Sequence, residues 1–320
     1  MAVTYNAIIT RNDTSAIENV NAIVDEIIQG VSQGSAVLPL LTKLPNMTNK
    51  QAKMAVLSAL PEAYWVEGDN GLKGTTKAAW AGKFITAEEL AVVVPIAQSV
   101  LDDADYDIWA EIKPRVIEQF YKKIDQAIIN GTDKPASWGD AIVTAATTKG
   151  FVVNPTSNLY DDISDAMSLV EEAGFDVTGI LGGVKAKGIF RKGLRDSTGQ
   201  PLQGSEVTEL PRAFAKNGSF DETAAKLIVG DFKQGVYAIR RDIEFKVFDS
   251  GVVTDSNGDI IYNLMQQDMV ALRVTMRLGY QLPNPINVLQ PTEALRLPFA
   301  YVAATASEAE PTAEETVEGE

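Results

Sequence analysis

The side chains able to do chemistry fall into four groups along the 320 residues, and two absent residue types limit what they can do. The carboxylates Asp102, Asp103 and Asp105 could bind a divalent cation or act as an acid/base pair. They stand directly ahead of a strongly periodic apolar run, so capping and dipole compensation of a helix is the preferred reading. Asp255-Ser256-Asn257-Gly258-Asp259 has the outline of a calcium loop, but Gln266 stands where a bidentate Glu is needed, which leaves a hairpin turn. Gly179-Ile180-Leu181-Gly182-Gly183 lacks Walker A spacing and a following Lys-Ser/Thr, so a strand-end turn is expected rather than a phosphate cradle. Lys185, Lys187, Arg191, Lys192 and Arg195 place five cations within eleven residues, suiting a solvated helix face, a subunit contact or nucleic acid. The chain has no His and no Cys, hence no imidazole base, thiol nucleophile or thiolate metal site. Triad hydrolysis and most transition-metal catalysis are excluded; carboxylate or magnesium chemistry is the enzymatic alternative left open. No group assembles a catalytic set, and no cofactor or metal site is expected.

Charge points the same way. Lys and Arg number 28 against 43 Asp and Glu, a formal charge of −15. A primary nucleic-acid binder gains affinity by neutralising phosphates with clustered cations, and this balance argues against that role. Six of the negative charges are the Glu residues of SEAEPTAEETVEGE (307–320), a segment without Lys or Arg that reads as a disordered acidic tail; the rest of the chain carries −9. The longest apolar stretch, about Leu90–Ala97, is far short of the roughly 18–20 residues of a spanning helix. The N-terminus lacks the basic and apolar regions of a signal peptide, so a soluble protein made inside the cell is expected, with no membrane partner.

The elements that must position these groups follow from periodicity. Ile108, Ile112, Val116, Phe120, Ile124 and Ile128 recur every fourth residue, widened by Trp109, Ile117 and Tyr121, and Gly131 closes the run: a long helix over about 105–130. Pro114 predicts a kink or a shifted start. A second helix is expected over 158–173, stopped by Gly174, and a short one over Ser99–Ala104. Strands are expected at Ala36–Leu44, Met54–Leu60, Glu89–Ala97, Val177–Leu181, Ala225–Val229, Val236–Ile239 and Ile243–Phe248. Thr132–Gly150 reads as a loop, and Ile260–Leu282 as helix or strand. Residues 61–85 stand apart, with Gly68, Gly71, Gly74 and Gly82, an Asn70-Gly71 turn signal, and Trp65 and Trp80 flanking a polar middle. Their apolar content cannot build a core, so a two-stranded excursion held by something else, such as a neighbouring subunit, is expected.

Three passages together resemble the major capsid proteins of tailed bacteriophages with the Hong Kong 97-type fold. AYWVEGDNG through IDQAIINGT (Ala63–Thr132) resembles the family's extended loop, returning strand and long spine helix ending in an aspartate and a glycine, here Asp125 and Gly131. GIFRKGLRDSTGQPL (Gly188–Leu202) resembles its helix followed by an Arg-Asp-x-x-Gly turn. LIVGDFKQGVYAIRRDIEFKVFD (Leu227–Asp249) resembles its late strand pair, and Met269–Leu289 fits the returning strand. The resemblance spans roughly residues 36–291 in order.

It implies an α+β subunit with a Hong Kong 97-like capsid fold. The domains would be an N-terminal arm (1–35), a first peripheral part (36–150) with the extended loop (about 60–85) and spine helix, a mainly axial part (151–250), a return through the peripheral domain (251–305), and the acidic tail (306–320). The implied function is a non-catalytic shell protein of the virion, assembled in the host bacterial cytoplasm from hexamers and pentamers into an icosahedral shell around double-stranded DNA. Implied partners are itself, a portal protein, decoration proteins, a separate scaffolding protein if one is used, and DNA by weak non-specific contact. Met1 stands only about 60 residues before the loop, so an N-terminal scaffolding segment of about a hundred residues is not expected. Subunit contacts are expected at Trp65, Glu67, Gly68, Lys73, Lys77, Trp80 and Lys83, the three lysines being by position the candidate amines for intersubunit cross-links. An encapsulin-like nanocompartment shell enclosing cargo protein shares the fold and is the alternative within the resemblance.

Overall fold

The computed structural model describes residues 34–63, 65–66, 73–104, 107–156, 158–193, 209–255 and 257–304. Most of the expected N-terminal arm, the Arg-Asp-x-x-Gly turn and the acidic tail lie outside these residues, as do Glu67 and Gly68.

The fourfold apolar series folds as expected. After a short helix α1 (Gln98–Asp102), helix α2 runs Ile108–Ile129 and buries Ile108, Val116, Phe120, Ile124 and Ile128. Asp107 caps it, its Oδ1 accepting from the Trp109 and Ala110 amides at 2.9 and 3.2 Å. Of the acidic run ahead, Asp102 instead accepts from Gln98 Nε2 at 2.8 Å. At the far end Gly131 takes φ 78° and donates its N–H to the Gln126 carbonyl at 3.1 Å, a left-handed stop suited to glycine. Pro114 sits inside the helix rather than at its start. Packing of the apolar face outweighs the local cost of a missing amide and of Lys113's bias away from helical angles.

Two sheets flank this helix's core. The four-stranded sheet is ordered β1 (Thr42–Lys43), β9 (Val236–Phe248), β12 (Met269–Gln281), β4 (Glu88–Ala97), antiparallel except for β1 against β9. The five-stranded sheet is ordered β5 (Val152–Val153), β13 (Phe299–Ala303), β8 (Ala225–Gly230), β6 (Gly179–Gly183), β7 (Arg212–Ala215). Helices α3 (Ile142–Lys149) and α4 (Leu159–Glu172) pack on β13, and α5 (Val184–Gly193) packs on β6 and β7. One apolar cluster unites the two sheets, with Phe120 and Ile124 of α2 joined to Leu272 and Val274 of β12 and to Ile228 of β8. Two ribbons stand apart from both sheets: β2–β3 (Gln51–Ala59 with Ala79–Thr86) and β10–β11 (Val252–Thr254 with Ile260–Asn263). The latter is the turn expected at Asp255, whose Oδ1 accepts from the Asn257 and Asp259 amides.

Several expectations are corrected. Ala36–Leu44 is mostly a turn, with the Val37 carbonyl accepting from the Leu40 and Leu41 amides and only Thr42–Lys43 extended. Thr132–Gly150 contains α3, whose buried Ile142, Val143, Ala145 and Ala146 give a weakly patterned face. The two strands expected at Val236–Ile239 and Ile243–Phe248 are one. The polar Arg240-Arg241-Asp242 between them is absorbed as register shifts against β12, so the strand bends without ending. Gly179–Gly183 is a buried strand, not a strand-end turn: a Cβ on Gly182 would stand 2.9 Å from the Ala186 Cβ, so its bareness lets α5 pack close.

Asp125, on the last turns of α2, is fully buried. Its Oδ1 accepts from Ser35 Oγ at 2.5 Å, and its Oδ2 from the Ala36 amide at 2.9 Å and Asn217 Nδ2 at 3.0 Å. Burial pushes its carboxyl above the ordinary aspartate value, and the Ser35, Ala36 and Asn217 donors only partly oppose the shift. Asp125→Ala strands three donors and should cost about 3 kcal/mol in denaturant unfolding of the unassembled subunit. Asp125→Asn keeps an oxygen for Ala36 and Asn217 and an amide for Ser35, and should cost about 1 kcal/mol. Because the folded state holds this proton more tightly, the Asp125 contribution to stability grows as pH falls from neutral through the raised value. The deficit of Asp125→Asn against the parent should therefore widen on acidification, and a constant deficit would contradict it.

Candidate intersubunit surface

The β2–β3 hairpin pairs in register from Gln51 with Thr86 to Ala59 with Ala79, shifting once between Leu57 and Ala59. Alternation puts one residue in two toward the body, yet only Val56 and Ile85 along it are buried. Trp80 is 68% exposed, Phe84 is 47% exposed, and Trp65 beyond the strands is 99% exposed. Lys73 and Lys77 lie on exposed chain with no regular secondary structure, leading into β3. An isolated two-stranded ribbon has marginal stability in water, so the hairpin relies on its base.

That base is tied in three ways. Ile85 packs with Met47, Ala87 and Ala238 in a small cluster of its own. The Phe84 carbonyl accepts from Gln281 Nε2 at 2.9 Å; farther out, where Leu57 pairs with Trp80, the Leu57 carbonyl accepts from the Ile286 amide at 3.3 Å. Lys83, expected among the contact residues, pairs with Glu293 of its own chain at 3.0 Å. Hydrogen bonding and charge attraction from Lys83 hold the Glu293 carboxyl below the ordinary glutamate value. A cavity of about 260 Å³ opens beside this pair, lined also by Asp140, Lys149 and Asn284. Lys149 closes the far wall by donating to the Glu293 and Arg296 carbonyls at 2.8 and 3.0 Å.

Gly279 decides how close β12 can pass. A Cβ there would stand 2.7 Å from the Thr86 carbonyl oxygen and 2.9 Å from Ile85 Cγ1. The hairpin root lies directly on the central strand of the four-stranded sheet because residue 279 has no side chain.

The structure thus splits the expected contact residues. Trp65, Lys73, Lys77 and Trp80 lie on open surface, and Lys83 is engaged at the root. Sequence reasoning passed over other exposed apolar side chains. Val247 and Phe248 end β9, Val252 and Ile260 sit on the β10–β11 ribbon, and Val288 and Leu289 lie on the loop after β12. The signal for Val288 and Leu289 was two adjacent apolar residues in a proline-punctuated loop. Among the described residues no group of three or more carboxylates is placed to hold a metal ion, and no helix is long and apolar enough to cross a membrane.

Two outcomes test this root. Gly279→Ala should destabilise the subunit by about 1–3 kcal/mol, because the obstruction is backbone rather than a movable side-chain end. The depressed Glu293 contributes its tie at neutral pH and loses it as pH falls through its lowered value. Hydrogen exchange of the β3 amides should therefore quicken on acidification relative to the intrinsic rate, and Glu293→Gln should abolish that acid-dependent increment.

The phage capsid family model matches residues 20–290. The major capsid protein of Staphylococcus phage 80alpha is 28% identical over 276 residues, covering 82% of this chain and 81% of that protein. A solved chain from Microbacterium phage Oxtober96 is 31% identical, with a TM-score of 0.77 over 93% of this chain and 99% of that one. Another from Mycobacterium phage Cain is 29% identical, with a TM-score of 0.78 over 93% and 98%. The α+β architecture is that of the Hong Kong 97-type capsid proteins, as the sequence resemblance implied. Matched over most of its length in both sequence and fold, the chain belongs to the phage capsid family.

Proposed function

We propose that this major capsid protein assembles with itself into hexamers and pentamers of an icosahedral shell around double-stranded DNA, with the β2–β3 hairpin lying across the adjacent subunit. The observation that carries this reading is a projecting ribbon with almost no buried side chains and two exposed tryptophans. Aromatic side chains bury large areas at little rotamer cost, which makes them favoured anchors at protein interfaces. In this reading the four-stranded sheet with α2 is the peripheral domain and the five-stranded sheet with α3, α4 and α5 is the axial domain. β9 then falls in the peripheral sheet and β13 in the axial one, which refines the boundaries at 250 and 305.

The acidity fits the same role. A shell wall lacking cationic excess does not hold packaged DNA tightly, so contact with the genome is weak and non-specific. The portal, scaffolding and decoration partners belong to this proposal, as do the virion as final location and the host cytoplasm as place of assembly. The role is structural; cross-linking, where it occurs, would draw on Lys73 or Lys77 more readily than on the paired Lys83.

Overexpression should yield closed particles sedimenting far above the subunit. The double variant Trp65→Ala/Trp80→Ala should leave subunit unfolding within about 0.5 kcal/mol of the parent, as expected of exposed positions, while reducing particle yield at least tenfold. Hydrogen exchange over 60–78 should slow on assembly; equal protection in subunit and particle would sink the hairpin's proposed placement. Duplex DNA should bind the purified subunit only weakly at about 150 mM salt, and more weakly still as salt rises.

A further inference from the structure

Two features of the sequence have no part in the hairpin surface: the cations of 185–195 and the glutamate-rich end of the chain. The structure brings the root of one to the other. Helix α5 packs on β6 and β7 by burying Ala186 and Phe190, which leaves Lys185 and Arg191 exposed. Lys187 lies over the Phe214 ring, 5.2 Å from its centroid. Strand β13 runs antiparallel to β8, pairing Ala303 with Ala225, and the Ala304 amide donates to the Ala224 carbonyl at 3.3 Å. Ala304, the last described residue, thereby lines a cleft of about 190 Å³ together with Lys185, Ala186, Ile189, Glu222 and Lys226.

This cleft has an apolar floor and an excess of positive charge. Glu222 balances Lys185 at 3.0 Å, but Lys226 has no carboxylate partner among the described residues. Beyond Ala304 the chain carries Glu308, Glu310, Glu314, Glu315, Glu318 and Glu320 and no cation. Glu308 and Glu310 lie four and six residues past the cleft wall, within about 13 and 20 Å of extended chain.

We propose that the C-terminal segment 305–320 lies in this cleft and along α5 of its own subunit, its glutamates paired with Lys185 and Lys226. Each such pair is weak at an exposed surface, but the covalent tether holds several glutamates near several cations at high effective concentration. The consequence is a covered cation face. The chain's densest basic run is withheld from other polyanions, duplex DNA included, by its densest acidic one.

Zero-length carbodiimide coupling of the full-length, unassembled subunit tests the contact. At about 20 mM salt it should join glutamates of 305–320 to Lys185 or Lys226. At about 1 M salt, where the screening length falls to about 3 Å, the yield should drop at least fivefold. In a mixture of ¹⁵N-labelled and unlabelled subunits, both halves of each joined peptide should carry the same label. Removal of 305–320 should raise low-salt affinity for a duplex DNA oligonucleotide at least fivefold, and Lys185→Gln/Lys226→Gln in the shortened chain should reverse the gain. Coupling confined to other lysines, mixed-label peptides, or an unchanged DNA affinity after truncation would each overturn the proposal. None of these readouts needs particles, so a failure of shell assembly would be told apart from a failure here.

Discussion

A buried carboxylate is tolerable only when hydrogen-bond donors offset its desolvation, and Asp125, with no ion-pair partner among the described residues, puts the subunit under that constraint. Its donors come from 89 to 92 residues away in both directions along the chain, from Ser35 and Ala36 on one side and Asn217 on the other. Satisfying it fixes three things at once: the last turns of the long helix, the path by which the chain enters the fold, and the loop after β7. Losing one donor leaves the desolvation cost of the charge with less to offset it, so the three contacts are held together rather than added up. The Ser35 hydroxyl also accepts from the Leu38 amide at 3.0 Å, which extends the arrangement into the turn that buries Val37 and Leu41 against the core.

From this fixed frame the hairpin projects as the opposite case. Its interior is only Val56 and Ile85, and its stability is borrowed from the central strand β12 through Gly279 and Gln281. The interactions that fold the subunit are thereby separated from those left open for neighbours. The first are buried and concentrated around α2 and β12. The second are exposed aromatic and aliphatic side chains on Trp65, Trp80, Val288 and Leu289. Such a division suits a shell protein, since many modest interfaces permit misplaced subunits to leave while the subunit itself stays folded.

The long helix, its Gly131 end and the coreless excursion were legible because each is written in local pattern: fourfold spacing, a stop glycine, a glycine cluster without apolar partners; the cap fell on Asp107 rather than on the Asp102, Asp103 and Asp105 run to which it was assigned. What was illegible was settled by tertiary contact. Helix α3 carries Val143, Thr144, Thr147 and Thr148, β-branched residues that weaken a helical signal, and it forms because Ile142, Ala145 and Ala146 find the core; Gly150 at φ 79° was its one local sign. The single strand β9 was read as two because Arg240, Arg241 and Asp242 break apolar alternation, whereas the sheet accommodates them as shifts of register. On the contact surface, the tryptophans could be picked out by type and place. The pairing of Lys83 with Glu293, 210 residues away, left no trace in local sequence.

That pairing changes the reading of the hairpin from loose appendage to aimed lever. A nine-residue strand at about 3.3 Å per residue extends about 30 Å, so a tilt of about 10° at the root displaces the tip by about 5 Å. Such a displacement exceeds what a docked tryptophan tolerates, since about 1 Å of added separation already forfeits up to half of a packed contact's attraction. The root therefore has to hold direction more tightly than the ribbon could hold its own shape. It does so with constraints of different kinds that cannot all yield along one axis: a steric stop where Thr86 meets Gly279, a hydrogen bond to Phe84 and an ion pair at Lys83, while the Ile286 amide steadies the ribbon farther out at Leu57. Side chains at the tip are then free to be chosen for the neighbour they meet, because none of them is needed to point the ribbon toward it.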